Sequence, residues 1–550
     1  MNEAKMVKLT GADAVAKAMK ACGVDHFFYV MGGMMIYSQI EHAGIQTVLC
    51  RNEKAATNMA DGYARVTKKP TVCYSQHGAA AAILASMLYE PMYAHSPVVA
   101  LTGSYPILKR DQWSYQECYE MKYFEPTCKF NVDVTDVRRL PQYMRTAIQV
   151  AVSGCPGPTH VNMPINLATA TAEMPEIYGD ETFFTVPPFR PRAEPERVAE
   201  AARLLANAER PIMVCGAGVH LSRAYDEVRA LAELLTIPVV TNPNGKGCFP
   251  EDHRLYAGVM GVYGRPVAND VVRDADLVFF VATRAGRHQT EEFTSPAPGT
   301  STIIHLNIDP VAIGRNYRAD VALVGDAKAT LQDLLAAFKT LIAKPKPKAP
   351  RLHELATAIK AYEQAVTASR SDAIPVKPQR LMKELSQFLR PRDIYVSDTG
   401  RNLGWAVRFL KLKGTGMTFL PVGGTLGSSF ALAMGAAFGA EADQRVINVI
   451  GDGGMGYNLA DLETARRYND HHVPFVSVVN NNSVLGSQAF PFEELNYAKI
   501  AEAFGCYGIR VERPSEIGDA LKAAFASGKP AIVDVVTDAG ESPPMRVRYL

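Results

Sequence analysis

The feature that most narrows the possible folds is Gly451-Asp452-Gly453, followed after 26 intervening residues by Asn480-Asn481-Asn482. The run Arg445 to Ile450 reads as a strand that ends in a glycine turn carrying a carboxylate. A helical segment then leads to a second strand, Phe475 to Val479, that ends in amides. Two strands joined through a helix pair in parallel, so one sheet edge presents a carboxylate and a carboxamide together. Those are hard oxygen ligands of the kind Mg²⁺ takes while substrate phosphates complete its shell, and glycine lets backbone N–H groups approach a diphosphate closely. A lone Gly-Asp-Gly is an ordinary strand-to-helix turn; the paired spacing points to a metal-diphosphate site.

A chain of 550 residues that is 47% hydrophobic and 21% charged can bury several cores, and its length suggests about three domains. A net charge of +2, with no concentrated Lys/Arg run, argues against a nucleic-acid or membrane surface and for a small-molecule partner. No apolar run reaches membrane-span length, and Met1 to Lys5 lacks a signal-peptide core, so cytoplasm is expected. The nine cysteines are scattered singly without metal-ligand pairs, as suits reduced thiols.

Pro-rich segments at Pro187 to Pro195 and Lys344 to Pro350 read as connectors. They divide the chain into 1–185, 186–345, a linker at 346–375, and 376–550 with a C-terminal tail. Short apolar strands alternate with amphipathic helices in each part: His26 to Val30, Thr71 to Ser75 and Val98 to Thr102, then Ile237 to Thr241, Leu277 to Val281 and Ile303 to Ile308, then Ile394 to Ser397. The expected fold class is α/β, three domains, each with a mainly parallel sheet flanked by helices.

The Asp452 and Asn480 to Asn482 arrangement resembles the signature of thiamine diphosphate (ThDP) enzymes, in which Asp and Asn hold Mg²⁺ against the cofactor's diphosphate. The resemblance implies Asp452 as one metal ligand, within a phosphate turn of Gly451, Gly453 and Gly454. About three extra residues around Arg467 to His472 leave the amide open. Asn482 with the Val484 carbonyl matches the family's Asn-Asn-x-x-Leu-Gly form; Asn481 with the Ser483 carbonyl is the alternative.

That cofactor needs a carboxylate beside its aminopyrimidine, because hydrogen bonding at ring nitrogen N1′ favours the imino tautomer whose exocyclic nitrogen removes the C2 proton. Arg51 to Ala56 resembles the family's Arg-x-Glu-x-x-Ala helix start, with Glu53 at the glutamate position; an exposed first-turn Glu favoured by the helix dipole is the plain alternative. In Pro421 to Ser429, Leu426 resembles the apolar wedge that holds ThDP bent, and the Gly424 carbonyl would accept from the exocyclic amine. Ser397 to Asn402 resembles the first diphosphate loop, implying Gly400, Arg401 and Asn402 near phosphate.

Over essentially the whole chain, the order resembles the acetolactate synthase-like branch of these enzymes: pyrimidine-binding, central and diphosphate-binding domains. The resemblance implies a homo-oligomer, dimer or tetramer, in which Glu53 and Asp452 meet only across a subunit interface. Gln116, in Tyr115-Gln116-Glu117, falls in the branch's Phe-Gln-Glu element near the reactive centre. His77 stands where many relatives carry Pro; it reads either as a proton-transfer group or as a hydrogen-bonded loop histidine. The adjacent-His pair of pyruvate decarboxylases is missing from Asp111 to Glu117, which favours carboligation or lyase chemistry.

Substrate identity is left open, since Ser487 to Glu494 replaces the Met and Trp of acetolactate synthases. The tail, with Arg546 and Arg548, reads as a frayed terminus or as a closure over an acyl-CoA. Gly216-Ala217-Gly218 falls short of a dinucleotide fingerprint; FAD or an ADP/CoA moiety served by Arg284 or Arg287 is one reading and an empty domain the other. The leading expectation is ThDP- and Mg²⁺-dependent 2-oxo acid decarboxylation and carboligation. A 2-hydroxyacyl-CoA lyase or oxalyl-CoA decarboxylase is the runner-up, and a catalytically silent regulatory homologue the remote alternative.

Overall fold

A computed structural model of the protein describes residues 6–34, 36–341 and 349–545. Arg546, Arg548 and most of the Lys/Pro connector lie outside the described residues.

Three six-stranded sheets, each parallel throughout, organise the chain. The first runs Gln46–Leu49, His26–Tyr29, Thr71–Ser75, Val98–Ser104, Thr159–Pro164, Asn131–Asp133 across the sheet. The third runs Phe419–Pro421, Ile394–Ser397, Val446–Gly451, Phe475–Asn481, Ala531–Val536, Tyr507–Val511. Both follow one order: second strand, first, third, fourth, sixth, fifth. The central sheet differs, running outward in chain order to either side of Pro211–Cys215 and Leu277–Val281. Its strands are near-continuous apolar runs because helices cover both faces. The strand Pro211–Cys215, for example, is buried at every position. The three-domain parallel-sheet expectation therefore holds. The 346–375 segment carries a helix, Ala349–Ala365, where only a linker was expected.

The first and third domains share one hydrophobic core, in which Phe28, Met59 and Leu84 lie with Val396, Leu432 and Ile450. Two helices make the joint. Glu53–Thr67 is capped by Asn52, whose side chain accepts from the Ala55 amide, and closes at Lys68 with φ of +64°. It crosses Ser428–Gly439 at two glycines. A Cβ on Gly62 would stand 1.9 Å from the Leu432 carbonyl oxygen, and one on Gly435 1.9 Å from that of Met59. Only hydrogen fits at either point, so the two backbones touch.

Candidate active site at the edge of the third sheet

In an open parallel sheet, ligands bind beyond the carboxyl ends of the strands where the strand order reverses. The third sheet reverses between Ile394–Ser397 and Val446–Gly451, which are hydrogen-bonded neighbours. Their next residues, Asp398 and Asp452, flank that crevice.

Asp398 is fully buried and ties the crevice together. Both its carboxylate oxygens accept from the Gly427 amide at 3.1 Å. A Cβ on Gly454 would lie 2.4 Å from its Oδ2. Burial pushes this carboxyl up to about 7, against the lowering effect of the Gly427 and Thr399 amides and of the Lys54 charge. Asp452 begins the short helix Asp452–Gly456 and is 5% exposed. Burial raises it to about 6 although the Gly453 and Ser483 amides donate to it. A carboxylate held against its own solvation gains from a nearby cation.

The amide run resolves into three roles. The strand extends to Asn481, beyond the Val479 expected, so Asn480 and Asn481 are strand residues. Asn480 donates to Asn402 Oδ1 at 2.9 Å and accepts from the Thr537 hydroxyl at 2.5 Å. Asn481 donates to Asp534 Oδ1 and to the Leu495 carbonyl, both at 2.9 Å. The Ser483 carbonyl accepts from the Phe492 amide at 2.8 Å, closing a hairpin-like turn with the Val484–Pro491 bridge. Asn482 is half-buried, and its Oδ1 takes only a 3.3 Å bond from the Val484 amide among the described residues. Because Ser483 donates to Asp452, Asn482 and Val484 stand either side of a residue already bound to that carboxylate. Among the described residues no three His, Cys, Asp or Glu side chains gather as a metal site. A cation held here would draw on the Asn482 amide and Val484 carbonyl oxygens beside the Asp452 carboxylate.

The glycine turn is a fitted cradle. A Cβ on Gly451 would meet Asn402 Nδ2 at 3.2 Å, and one on Gly453 would meet Leu485 and Phe492 at 3.1 Å. Ser487 to Glu494 therefore folds over the turn, with Phe490 and Phe492 64% and 45% exposed. Arg401 instead donates to the Glu541 carbonyl at 3.1 Å. The described part of the tail is pinned, since Lys377 bonds both Asp538 and Glu541.

From the first domain, the start of the Glu53 helix reaches the third. Asn52 donates to Asp461 at 2.7 Å, and Lys54 Nζ lies 3.5 Å from the Leu426 carbonyl oxygen. Leu426 is half-buried, and the Glu53 helix start thus contacts the diphosphate half of its own chain. His77 and Gln116 come together in a separate loop cluster. His77 Nε2 is 3.2 Å from the Tyr115 carbonyl oxygen, and its Nδ1 is buried with no partner among the described residues. Gln116 Oε1 accepts from Gln76 at 2.6 Å, with a backbone φ of +56°. Beside this cluster Leu108 and Trp113 are 92% and 96% exposed.

In the central domain, Gly216-Ala217-Gly218 follows Pro211–Cys215 at that sheet's own reversal point, and Ala217 and Gly218 line a cleft with Asn242, Thr283 and Asp309. Arg284 lines this cleft and donates to the Tyr93 carbonyl at 3.3 Å, while Arg287 is paired with Glu292.

Sequence reasoning passed over Glu90. Its buried carboxylate accepts from the Gly423, Gly424 and Thr425 amides at 2.8–2.9 Å and so fixes the loop carrying Leu426. Nothing in the sequence around Glu90 signals this, because the contact spans more than 330 positions. Asp398 lies inside the Ser397 to Asn402 segment and carries a signal, an acid directly after a buried strand.

Fold and site together define a three-domain α/β enzyme with a close-packed glycine turn at a sheet switch point. Comparison with known proteins names the class. Family models for the thiamine pyrophosphate enzyme N-terminal TPP binding domain, central domain and C-terminal TPP binding domain match residues 9–123, 198–334 and 398–535. The chain is 34% identical to a probable acetolactate synthase large subunit of Methanocaldococcus jannaschii, covering 98% of this chain and 93% of that protein. It is 32% identical to the probable large subunit of Methanococcus aeolicus, over 96% and 92%. It is 28% identical to a glyoxylate carboligase of Escherichia coli O157:H7, over 97% and 94%. The chain belongs to the thiamine pyrophosphate enzyme family and is a TPP-dependent enzyme of the carboligase/lyase type.

Proposed function

We propose that the protein is a ThDP- and Mg²⁺-dependent carboligase of acetolactate synthase type, decarboxylating a 2-oxo acid and joining the remainder to a second carbonyl compound. The observation that carries this is the switch-point crevice, where a buried Asp452, the uncommitted Asn482 and three close-packed glycines converge. The names of the similar proteins support it. The domain limits 1–185, 186–345 and 376–550 belong to the same reading, since each range encloses one six-stranded sheet.

In this proposal Asp452, Asn482 and the Val484 carbonyl hold Mg²⁺. Gly400, Asn402, Gly451, Gly453 and Gly454 line the diphosphate, while Arg401 acts through the tail. When bound, ThDP supplies an acidic thiazolium carbon and an electron sink. Leu426 and the Gly424 carbonyl would hold the bound cofactor's rings and exocyclic amine, and Glu53, in the first turn of its helix, would be the carboxylate that hydrogen-bonds the pyrimidine nitrogen. His77 and Gln116 would face substrate, the imidazole of His77 as a proton-transfer group and the amide of Gln116 as a hydrogen-bonding one.

The protein is further proposed to be a cytoplasmic homo-oligomer, dimer or tetramer, with sites at subunit interfaces. All nine cysteines are free, which suits a reducing compartment. The exposed Leu108 and Trp113 beside Gln116 suit a surface covered by a second copy. The proposal includes no flavin or adenine nucleotide in the central cleft, because Gly216-Ala217-Gly218 lacks the third glycine of a dinucleotide fingerprint and Arg287 is paired with Glu292.

Turnover of pyruvate, glyoxylate, hydroxyketones and 2-hydroxyacyl-CoAs, followed by mass spectrometry, tests the reading. Release of CO₂ with a ligated hydroxy-oxo product is expected. Cleavage of acyl-CoAs without 2-oxo acid turnover would replace it with the lyase.

A further inference from the structure

Lys68 carries three costs at one residue. It closes helix Glu53–Thr67 with φ of +64°, in the left-handed region that glycine takes without strain. Its side chain is 5% exposed, although a lysine is almost never fully buried unless it is paired. Its Nζ is buried with no hydrogen-bond partner among the described residues. The next residue shows the ordinary outcome, since Lys69 reaches Asp25 at 2.6 Å. Asp61, on the same helix as Lys68, is spent on Arg65 at 2.9 and 2.5 Å, and Glu90 on the amides of the Leu426 loop. Backbone strain and an unmet buried amine at one position are the kind of outlier that clusters at sites with a function.

Lys68 lines a small cavity of about 30 Å³ where the three domains meet: Arg65 and His95 come from the first, Ala217 and Asn244 from the central and Phe419 from the third. One water needs roughly 10–15 Å³ of such space, so a ligand of about three heavy atoms fits here and a sugar or nucleotide does not. Among the described residues no Asp or Glu lines it. The charges acting on the amine are cations. Burial, and after it Arg223 and Arg65, bring the Lys68 amine down to about 7, so its uncharged, nucleophilic form is populated at neutral pH. The imidazoles of His95 and His220 add no charge of their own, because burial holds both at about 3.

We propose that Lys68 is a carbamate-forming site for CO₂, distinct from the cofactor crevice and independent of the reaction run there. The Nζ lone pair attacks the carbon of CO₂. An N–C bond forms, one C=O π bond opens to leave the negative charge on oxygen, and the nitrogen releases one proton to water, so that RNH₂ and CO₂ give RNHCOO⁻ and H⁺. The product reverses the sign of the group: Arg65 and Arg223, which oppose an ammonium, favour a carbamate. CO₂ is small enough for the cavity, and a ligand that binds only the assembled junction of three domains stabilises the folded chain.

Carbon-13 NMR of the ThDP- and Mg²⁺-loaded enzyme in ¹³C-labelled bicarbonate, with no substrate present, tests this. A protein carbamate resonance, apart from those of bicarbonate and dissolved CO₂, is expected, with a Tm higher than in chloride of equal ionic strength. Lys68→Gly removes the amine and suits the backbone, so it should fold, lack that resonance and lose the Tm difference. Lys68→Arg keeps the charge without the carbamate-forming amine and should behave the same way, while Lys69→Met should keep both signals. No carbamate resonance in wild type, or the same carbamate resonances in folded Lys68→Gly, would overturn the proposal. A Tm raised as much by chloride as by bicarbonate, without a carbamate signal, would overturn it in favour of a noncovalent anion.

Discussion

The carboxylate of Asp398 grips the backbone amide of Gly427 with both oxygens, at 3.1 Å each, across 29 residues of sequence. One buried acid thus sets the distance between the end of the first strand of the third domain and the loop carrying Leu426. Replacing it with Ala leaves the Gly427 amide unmet and the loop free to shift. An unmet buried donor costs about 1–3 kcal/mol, so Asp398→Ala should weaken ThDP binding by roughly tenfold or more, measured by titration of apoenzyme. Unchanged affinity would show that the Leu426 loop is held by Glu90 alone.

The two asparagines at the end of Phe475–Asn481 should fail in different ways. Asn481 bonds Asp534 and Leu495, so Asn481→Ala removes two buried hydrogen bonds and should lower stability by about 1–3 kcal/mol, read as a reduced Tm of apoenzyme. Asn482→Ala breaks one long local bond and should leave that Tm nearly unchanged while raising the Mg²⁺ concentration needed for ThDP retention. Metal dependence tracking Asn481 instead would move the ligand one residue upstream.

The difference between those residues was not legible in the sequence. Asn480 to Asn482 form a run in which the resemblance favours Asn482 and leaves Asn481 as the alternative; the strand's extension to Asn481 and the engaged Ser483 carbonyl set Asn481 apart from the proposed ligand. The parallel sheets were legible, because Leu277–Val281 and Ile394–Ser397 are unbroken apolar runs between turns. So was the start of the Glu53 helix, from the resemblance over Arg51 to Ala56, though the capping role of Asn52 was not. The Glu90 latch was not, nor was the position of Arg401 on the tail, because both are set by tertiary contacts between segments with no local pattern in common.

Buried histidines give the fold a defined acid sensitivity. His160 is fully buried, stacked on Phe124 at 3.6 Å and bonded to Asn131 and Thr102, both at 2.7 Å. Burial holds its folded-state value at about 3, below the ordinary 6.5. The unfolded chain therefore takes up the proton first: the full contribution to stability is present above pH 6.5 and is lost as pH falls toward 3. At pH 5 the loss from this residue alone is about 2 kcal/mol. Urea unfolding at pH 7.5 and pH 5 should show that drop, and a His160→Gln variant should show a smaller one. An equal slope in both would exclude His160 as a source.

Assembly is testable by complementation. Inactive Glu53→Gln and Asp452→Ala chains, mixed under exchange conditions, should recover about a quarter of wild-type sites if each site draws one residue from each chain and mixing is random. No recovery in a confirmed mixed oligomer would mean that each site is built within one chain, as the intrachain contact of Lys54 with Leu426 permits.

The most direct test of the central claim is the exchange of the ThDP C2 proton with deuterium, followed by NMR after acid quench, on wild type and Glu53→Gln saturated with Mg²⁺ and cofactor. Glutamine keeps the shape of the glutamate and removes the charge that the pyrimidine nitrogen requires. Binding should persist while exchange slows by about 10² or more, the scale of a lost general base. Exchange in Glu53→Gln at the wild-type rate, with cofactor bound, would contradict the assignment of Glu53 as the activating group.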